Sequence, residues 1–326
     1  MLDELIARFL YTRYSAAVVR IERAGHAVYE SAVGTTIATA SVSAPMGARA
    51  APRAAYADTR FDLASITKVF VASVALKLVA DGVLALDAPL DDVIVEWRGT
   101  AHAPITLRMI LAHTAGFRSG AAFRTLFGEH IETFALAEPL VAAPGERVVY
   151  SDLGFLALGA ENVTFARFVR MDETPATERD AWRGLVQGRV HDEKAALAGG
   201  VAGHAGLFGN AHDVARLGEW YLGPLHGRRS PLPAALTNAA IAEQALDAVL
   251  RRGLGWALKT NDTNSCGAAM APSTFGHTGF TGTCIWVDPV RDLNVVILTN
   301  AVHYGRHDLR DVRAAICDAA VARYAA

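Results

Sequence analysis

The stretch FDLASITKVFVASVALKLVADGVLAL, residues 61–86, carries one lysine out of keeping with its neighbours. From residue 64 to residue 80 the run is apolar on nearly every side, which predicts a buried helix rather than an amphipathic surface one. Asp81 and Gly82 stop it. Lys68 therefore stands where a core-facing helix ordinarily holds Leu or Ala. Composition sharpens the oddity: of 31 basic residues, four are lysine (Lys68, Lys77, Lys194, Lys259) and the other 27 are arginine. Arginine stays protonated, whereas a buried lysine can lose its proton and serve as a base. Chance retention of one lysine is the plain alternative.

Ser65 precedes Lys68 by three residues, a spacing that puts both side chains on one helix face. In the first turn a backbone N–H is free of helical partners and the dipole is positive, a good place for developing negative charge. A serine hydroxyl needs an adjacent base, and desolvation by Ile66, Val69 and Phe70 is expected to lower the lysine's pKa. An N-capping serine beside a snorkelling lysine is the structural alternative.

Two further elements carry chemistry. Tyr150-Ser151-Asp152 follows an APGERVV turn, and a phenol near an ammonium can act as a second base or proton shuttle; a half-buried packing tyrosine is the competing account. His277-Thr278-Gly279 lies in a strand-like segment where glycine permits close approach of a ligand. The next N–H, of Phe280, would pair with that of Ser65 to hold an oxyanion.

The rest of the chain frames these residues. With 326 residues, 52% hydrophobic and 20% charged, it has material for a substantial core. A net charge of -2 gives no reason to expect nucleic acid, and no charge-free apolar run is long enough to span a bilayer. Three cysteines without CxxC spacing suggest neither disulfides nor zinc, and read as small apolar residues. His191, Asp192, Glu193, His204 and His212 match no metal-binding spacing. The glycines of residues 199–209 lack a phosphate-loop lysine and suit close backbone packing beside the site. The start of the chain lacks the pattern of a secretory signal, which reads as cytoplasmic, or as periplasmic or extracellular if a signal was removed.

Residues 16–34 read as a hairpin turning at Ala24-Gly25, and 41–57 as a loop. Helices are expected over 105–117, closed by Gly116, over 121–140, and from Asn210 as N-cap. Segments 254–258, 273–279, 281–289 and 293–300 alternate as strands before a closing helix. Strands at both ends and helices between them predict an α+β fold: residues 1–64 and 246–326 form one antiparallel sheet region, and 65–245 a mainly helical region carrying the Ser65 helix.

In this order SITK, YSD and HTG resemble the serine β-lactamase-like superfamily, in particular its class C β-lactamase, DD-peptidase and family VIII carboxylesterase branch. The resemblance extends over most of the chain, through LRMILAHTAGF, PGERVVYSDLGFLALG and FGHTGFTGTCIWVDPVRDLNVVILTN. It implies Ser65 as nucleophile, Lys68 as its base partner and Tyr150 as proton shuttle. Asp152 would contact substrate or Lys68, its carboxylate favouring a protonated Lys68 and leaving more of the base's work to Tyr150; His277 and Thr278 would line the substrate-side strand, with the N–H groups after Gly279 and at Ser65 as oxyanion donors. His277 stands where lysine is commoner, and Asp152 where asparagine is commoner. Residues 160–172 are shorter than usual for the family.

The expected activity is a serine hydrolase forming an acyl-enzyme on small esters or amides, without metal or organic cofactor. A DD-peptidase or weak β-lactamase is the alternative, and a non-catalytic ligand-binding homologue is the alternative of another class. The partner is a small-molecule ester, amide or β-lactam-like substrate; the sequence says nothing of oligomeric state.

Overall fold

The computed structural model describes residues 2–38, 52–120, 130–162, 173–246 and 250–325, with 159–162 as helix backbone alone. The chain opens with helix α1 (Leu2–Arg8) and the hairpin β1 (Ala16–Arg23) and β2 (His26–Gly34). Strand β3 (Phe61–Asp62) leads into α2 (Ile66–Ala80), followed by α3 (Leu107–Leu111), α4 (Ile131–Ala137) and α5 (Asp152–Asn162). The short strands β4 (Glu178–Asp180) and β5 (Gly184–Val186) precede α6 (Glu193–Leu197), β6 (Phe208–Gly209), α7 (Ala211–Leu225) and α8 (Ala234–Ile241). Strands β7 (Ala245–Leu246), β8 (Arg251–Arg252), β9 (Ala257–Leu258), β10 (Phe275–Thr278), β11 (Cys284–Asp288) and β12 (Leu293–Thr299) end at helix α9 (Arg310–Tyr324).

Eight strands form one antiparallel sheet in the order β2-β1-β12-β11-β10-β9-β8-β7, so the two ends of the chain pair with each other as the strand pattern predicts. Val19 faces Ile297 and Ile21 faces Val295 across the β1–β12 ladder. Because successive side chains alternate faces, Ala17, Val19, Ile21, Val295 and Ile297 meet α1 and α9 on one side. Ala16, Val18, Val296 and Leu298 meet α2, α7 and the helical block on the other. Each such Val or Ile, withdrawn from water, contributes about 1.5–3 kcal/mol. The hairpin turns at Ala24 and Gly25, both with positive φ.

Helix α9 places Val312, Ile316 and Ala320 on its buried stripe, and α7 begins with a full capping box between Asn210 and Asp213. Helix α2 reaches the sheet closely because Gly255, at φ +78°, has no side chain; a Cβ there would lie 2.5 Å from the Ala72 Cβ. That close approach brings the start of α2 beside β10.

Two expectations are corrected. The helix predicted over 105–117 is confined to Leu107–Leu111, because His113 takes a left-handed φ of 60° and turns the chain away. Within 121–140, the helix described is Ile131–Ala137, while 121–129, like most of the loop predicted over 41–57, falls outside the described residues. The shortened segment 160–172 also lies largely outside them.

Candidate active site

The bend before α2 is built from backbone contacts. Asp62, buried, accepts from Ala64 N–H at 2.8 Å with one carboxylate oxygen and from His191 N–H at 2.6 Å with the other. Thr281 and Thr283 donate their hydroxyls to the carbonyls of Asp62 and Leu63, and Leu63 N–H donates to Leu207 O in the glycine-rich loop. This framework holds Ala64 at φ +46°, a conformation costly for a residue with a Cβ. The bend presents Ser65 as the first residue of the α2 entrance.

Ser65 makes no side-chain cap bond. Its Oγ instead accepts from Lys68 Nζ at 3.0 Å. The N–H groups of Ser65 and Phe280 donate to no group among the described residues. Gly279 lets the two segments touch: a Cβ there would lie 2.6 Å from Leu63 O and 2.1 Å from Thr283 Oγ1. Ser65, Tyr150, Arg252, His277, Thr278 and Phe280 all line one cleft of about 690 Å3.

Lys68 is wholly buried, with 0% exposure. Three acceptors surround its ammonium: Ser65 Oγ at 3.0 Å, Asp152 Oδ1 at 2.8 Å and His204 O at 3.1 Å. The Tyr150 ring centroid lies 5.0 Å from Nζ. Burial is the largest single influence on its proton affinity and works against the charge, but Asp152 and Tyr150 together outweigh it and raise the pKa above the ordinary lysine range. The expectation that desolvation lowers this pKa is thus overturned, because the local apolar run carries no carboxylate, whereas the expectation from the resemblance, that Asp152 contacts Lys68 and favours its protonated form, is met.

Tyr150 is held by a histidine. His113 Nδ1 accepts from the Ser151 N–H at 3.2 Å, and its ring centre lies 4.4 Å from that of Tyr150. Burial first, then Arg252 and Lys68, keep His113 well below the usual imidazole range, so it stays an acceptor. His113 thus bonds the segment that carries Tyr150 and Ser151. Ser151, between the two chemical residues, accepts from Leu153 N–H and donates to Arg118 O, and so caps α5. On the other side of Tyr150 the Arg252 guanidinium lies 5.0 Å from the ring centroid.

His277 Nδ1 donates to Thr278 O at 2.8 Å, which leaves Nε2 as a lone-pair acceptor, buried and without a partner among the described residues. Burial, then Lys68 and Arg252, push its pKa down to about 3, so the ring is uncharged at neutral pH. Phe280 stands 54% exposed at the cleft rim, stacked on His191.

Two residues escaped the sequence reading, Arg252 in the cleft wall and Lys194 behind it. Lys194 Nζ lies 3.2 Å from Asp152 Oδ2 and 3.3 Å from Asp192 Oδ2, and Asp192 Oδ1 meets His204 Nε2 at 2.8 Å. Lysine scarcity was the available signal, since Lys194 is one of four. Asp152, Asp192 and His204 are close enough to share a metal ion, but the Lys194 ammonium already bridges the two carboxylates. The other residues considered as ligands serve elsewhere: His191 meets Glu178 at 3.6 Å, Glu193 meets Arg306, and His212 is exposed on α7. The glycine-rich loop packs beside the site, as expected, and brings His204 O to Lys68.

A serine at a helix entrance, a lysine one turn on, and a strand edge closing the cleft from a two-ended antiparallel sheet define the S-x-x-K serine hydrolase class. The chain belongs to the Beta-lactamase family, whose model matches residues 2–319, and is a serine hydrolase of that family. It is 31% identical to a protein of Escherichia coli (strain K12) named "Putative D-alanyl-D-alanine carboxypeptidase", over 77% of this chain and 71% of that one. Its fold is similar to that of a "Beta-Lactamase/D-Alanine Carboxypeptidase" from Pseudomonas syringae, with a TM-score of 0.73, 19% identity and 98% of both chains covered. It is also similar to that of "EstCE1, a hydrolase with promiscuous acyltransferase activity", with a TM-score of 0.72, 20% identity and 97% of both chains covered. Among the described residues no helix is long and apolar enough to cross a membrane.

Proposed function

We propose that the enzyme acylates Ser65 and hydrolyses the acyl-enzyme with water, on a small amide or ester bearing a carboxylate near the scissile bond. The observation that carries the acylation reading is the 3.0 Å contact between Lys68 Nζ and Ser65 Oγ inside a wholly buried lysine site. Ser65 Oγ adds to the substrate carbonyl and its proton passes to Tyr150, because Asp152 holds Lys68 as an ammonium in the resting state. The ammonium stabilises the phenolate, and the N–H groups of Ser65 and Phe280 receive the oxyanion. Collapse expels the amine or alcohol, which takes the proton from Tyr150. Water then repeats the sequence on the ester, releasing acid and restoring Ser65.

Arg252 supports an anionic substrate. It is buried beside Tyr150 in the cleft, where it supplies the positive charge that a neutral His277 does not. A D-alanyl peptide C-terminus meets that description and agrees with the name of the E. coli relative. The exposed, apolar Phe280 at the rim favours a second reading, an esterase for short acyl chains.

The test is intact mass and turnover with a D-alanyl-D-alanine peptide, p-nitrophenyl esters of graded length and a chromogenic cephalosporin. The expected result is an adduct absent from Ser65→Ala and release of D-alanine. Ester turnover alone would select the esterase; absence of adduct and turnover with every substrate would overturn the reading.

A further inference from the structure

The charged groups behind Ser65 form a closed chain, and its outer half has no contact with the cleft. Lys68 meets Asp152, Asp152 meets Lys194, Lys194 meets Asp192, and Asp192 meets His204, whose own backbone carbonyl returns to Lys68. Lys194 and Asp192 come from α6 and its N-cap, while His204 follows in the glycine-rich loop. Asp192 is oriented by accepting from Ala195 N–H at 2.9 Å.

We propose that Lys194 is a positioning residue that shares the Asp152 carboxylate with Lys68 and so sets how tightly the site holds its proton. One carboxylate between two ammonium groups divides its field between them. With Lys194 in place, Oδ2 is engaged and Lys68 receives Oδ1 alone. Without it, the whole carboxylate turns to Lys68, and one positive charge is lost from the neighbourhood of both Lys68 and Tyr150. Either change makes the site hold its proton more tightly. The other charged or titratable groups facing the pair are Arg252 and His277 from the sheet, His113 beneath Tyr150, and Asp192 with His204 from the loop. Burial opposes the Lys194 charge, but Asp192 and Asp152 hold it above the ordinary lysine value, so it stays cationic throughout the working range.

The inference rests on Ser65 acylation, which the wild-type enzyme must first show by adduct formation. The experiment is the pH profile of single-turnover acylation in Lys194→Met, Lys194→Gln and Lys194→Arg, with thermal unfolding measured alongside. Gln keeps a donor between the carboxylates and guards against a folding failure of Met. The acidic limb is expected to move up by about one pH unit in either neutral variant and to return to its wild-type position in Arg, which keeps the charge. Asp152→Asn, which removes the opposite charge, should move it down. A limb unmoved in a folded neutral variant that still acylates would overturn the inference while leaving the function intact. So would an Arg variant shifted as far as the neutral ones.

Discussion

Lys68 Nζ and Asp152 Oδ1 lie 2.8 Å apart in a site from which the lysine has no access to water. The pair fixes the resting charge of the site. Burial by itself would make Lys68 a neutral amine, and the carboxylate reverses that by giving the ammonium a partner at contact distance. The same contact keeps Asp152 well below the usual carboxylate range, since Lys68, His204 and Lys194 together outweigh its burial.

Asp152→Asn should therefore lower stability within a defined pH window. Because the folded pKa of Asp152 lies below its ordinary value of 3.8, its contribution to stability is complete above that value and is lost as pH falls. The variant should be less stable than wild type by about 1–3 kcal/mol at pH 7, with an amide oxygen still accepting from Lys68. The gap should narrow on acidification below pH 4. Urea denaturation at pH 7, 5 and 3 measures both.

His277 adds to the acid limb of stability in the same direction as Asp152, at higher pH. Its folded pKa of about 3 lies below the ordinary 6.5, so the unfolded chain takes up a proton that the folded one refuses. Stability is full above about pH 6.5 and falls by about 1.4 kcal/mol per unit as pH drops from about 6 toward 4. His277→Gln should reduce that slope by about one proton. His113 is depressed in the same direction and keeps the remaining slope from vanishing.

Gly279→Ala should damage the site from the backbone outward. The new Cβ would meet Thr283 Oγ1 and Leu63 O, neither of which can retreat without loosening the bend at Ser65. A loss of about 1–3 kcal/mol in stability is expected. Acylation should slow by about 100-fold or more if the Phe280 N–H leaves its place. An acylation rate within threefold of wild type would remove Phe280 N–H from the mechanism.

Thiol chemistry should be silent in the native state. Cys266, Cys284 and Cys317 are buried and unpaired, and burial pushes the first two up to about 12 and about 11. Iodoacetamide at pH 8 should label none of the three in buffer and all three in urea, read by intact mass.

Much of the site was legible because its parts are local. Ser65 and Lys68 share a helix face by spacing alone, and the apolar run around them announces a buried helix. The α9 stripe follows from side-chain periodicity in the same way, while β12, buried along its whole length, follows from its continuous apolar run. What escaped was whatever depends on two distant segments meeting. The 105–117 helix was drawn too long because propensity does not register that His113 must turn back to receive the Ser151 N–H. Lys194 was legible only as one of four scarce lysines until the fold set it between two carboxylates.

The sequence by itself determined that a serine and a lysine would face each other at the mouth of a buried helix, since helix geometry relates residues three apart wherever the helix lies. It also determined that the chain's two ends would pair as a sheet, from where its alternating segments fall. The charge on that lysine is decided by the tertiary structure, in the direction the resemblance implied for a carboxylate at Asp152. Desolvation is a property of the local apolar run, and read alone it points to a neutral amine; the deciding field comes from Asp152 on α5 and is tempered by Lys194 on α6. Electrostatic energy depends on distance through space, and the fold alone supplies those distances.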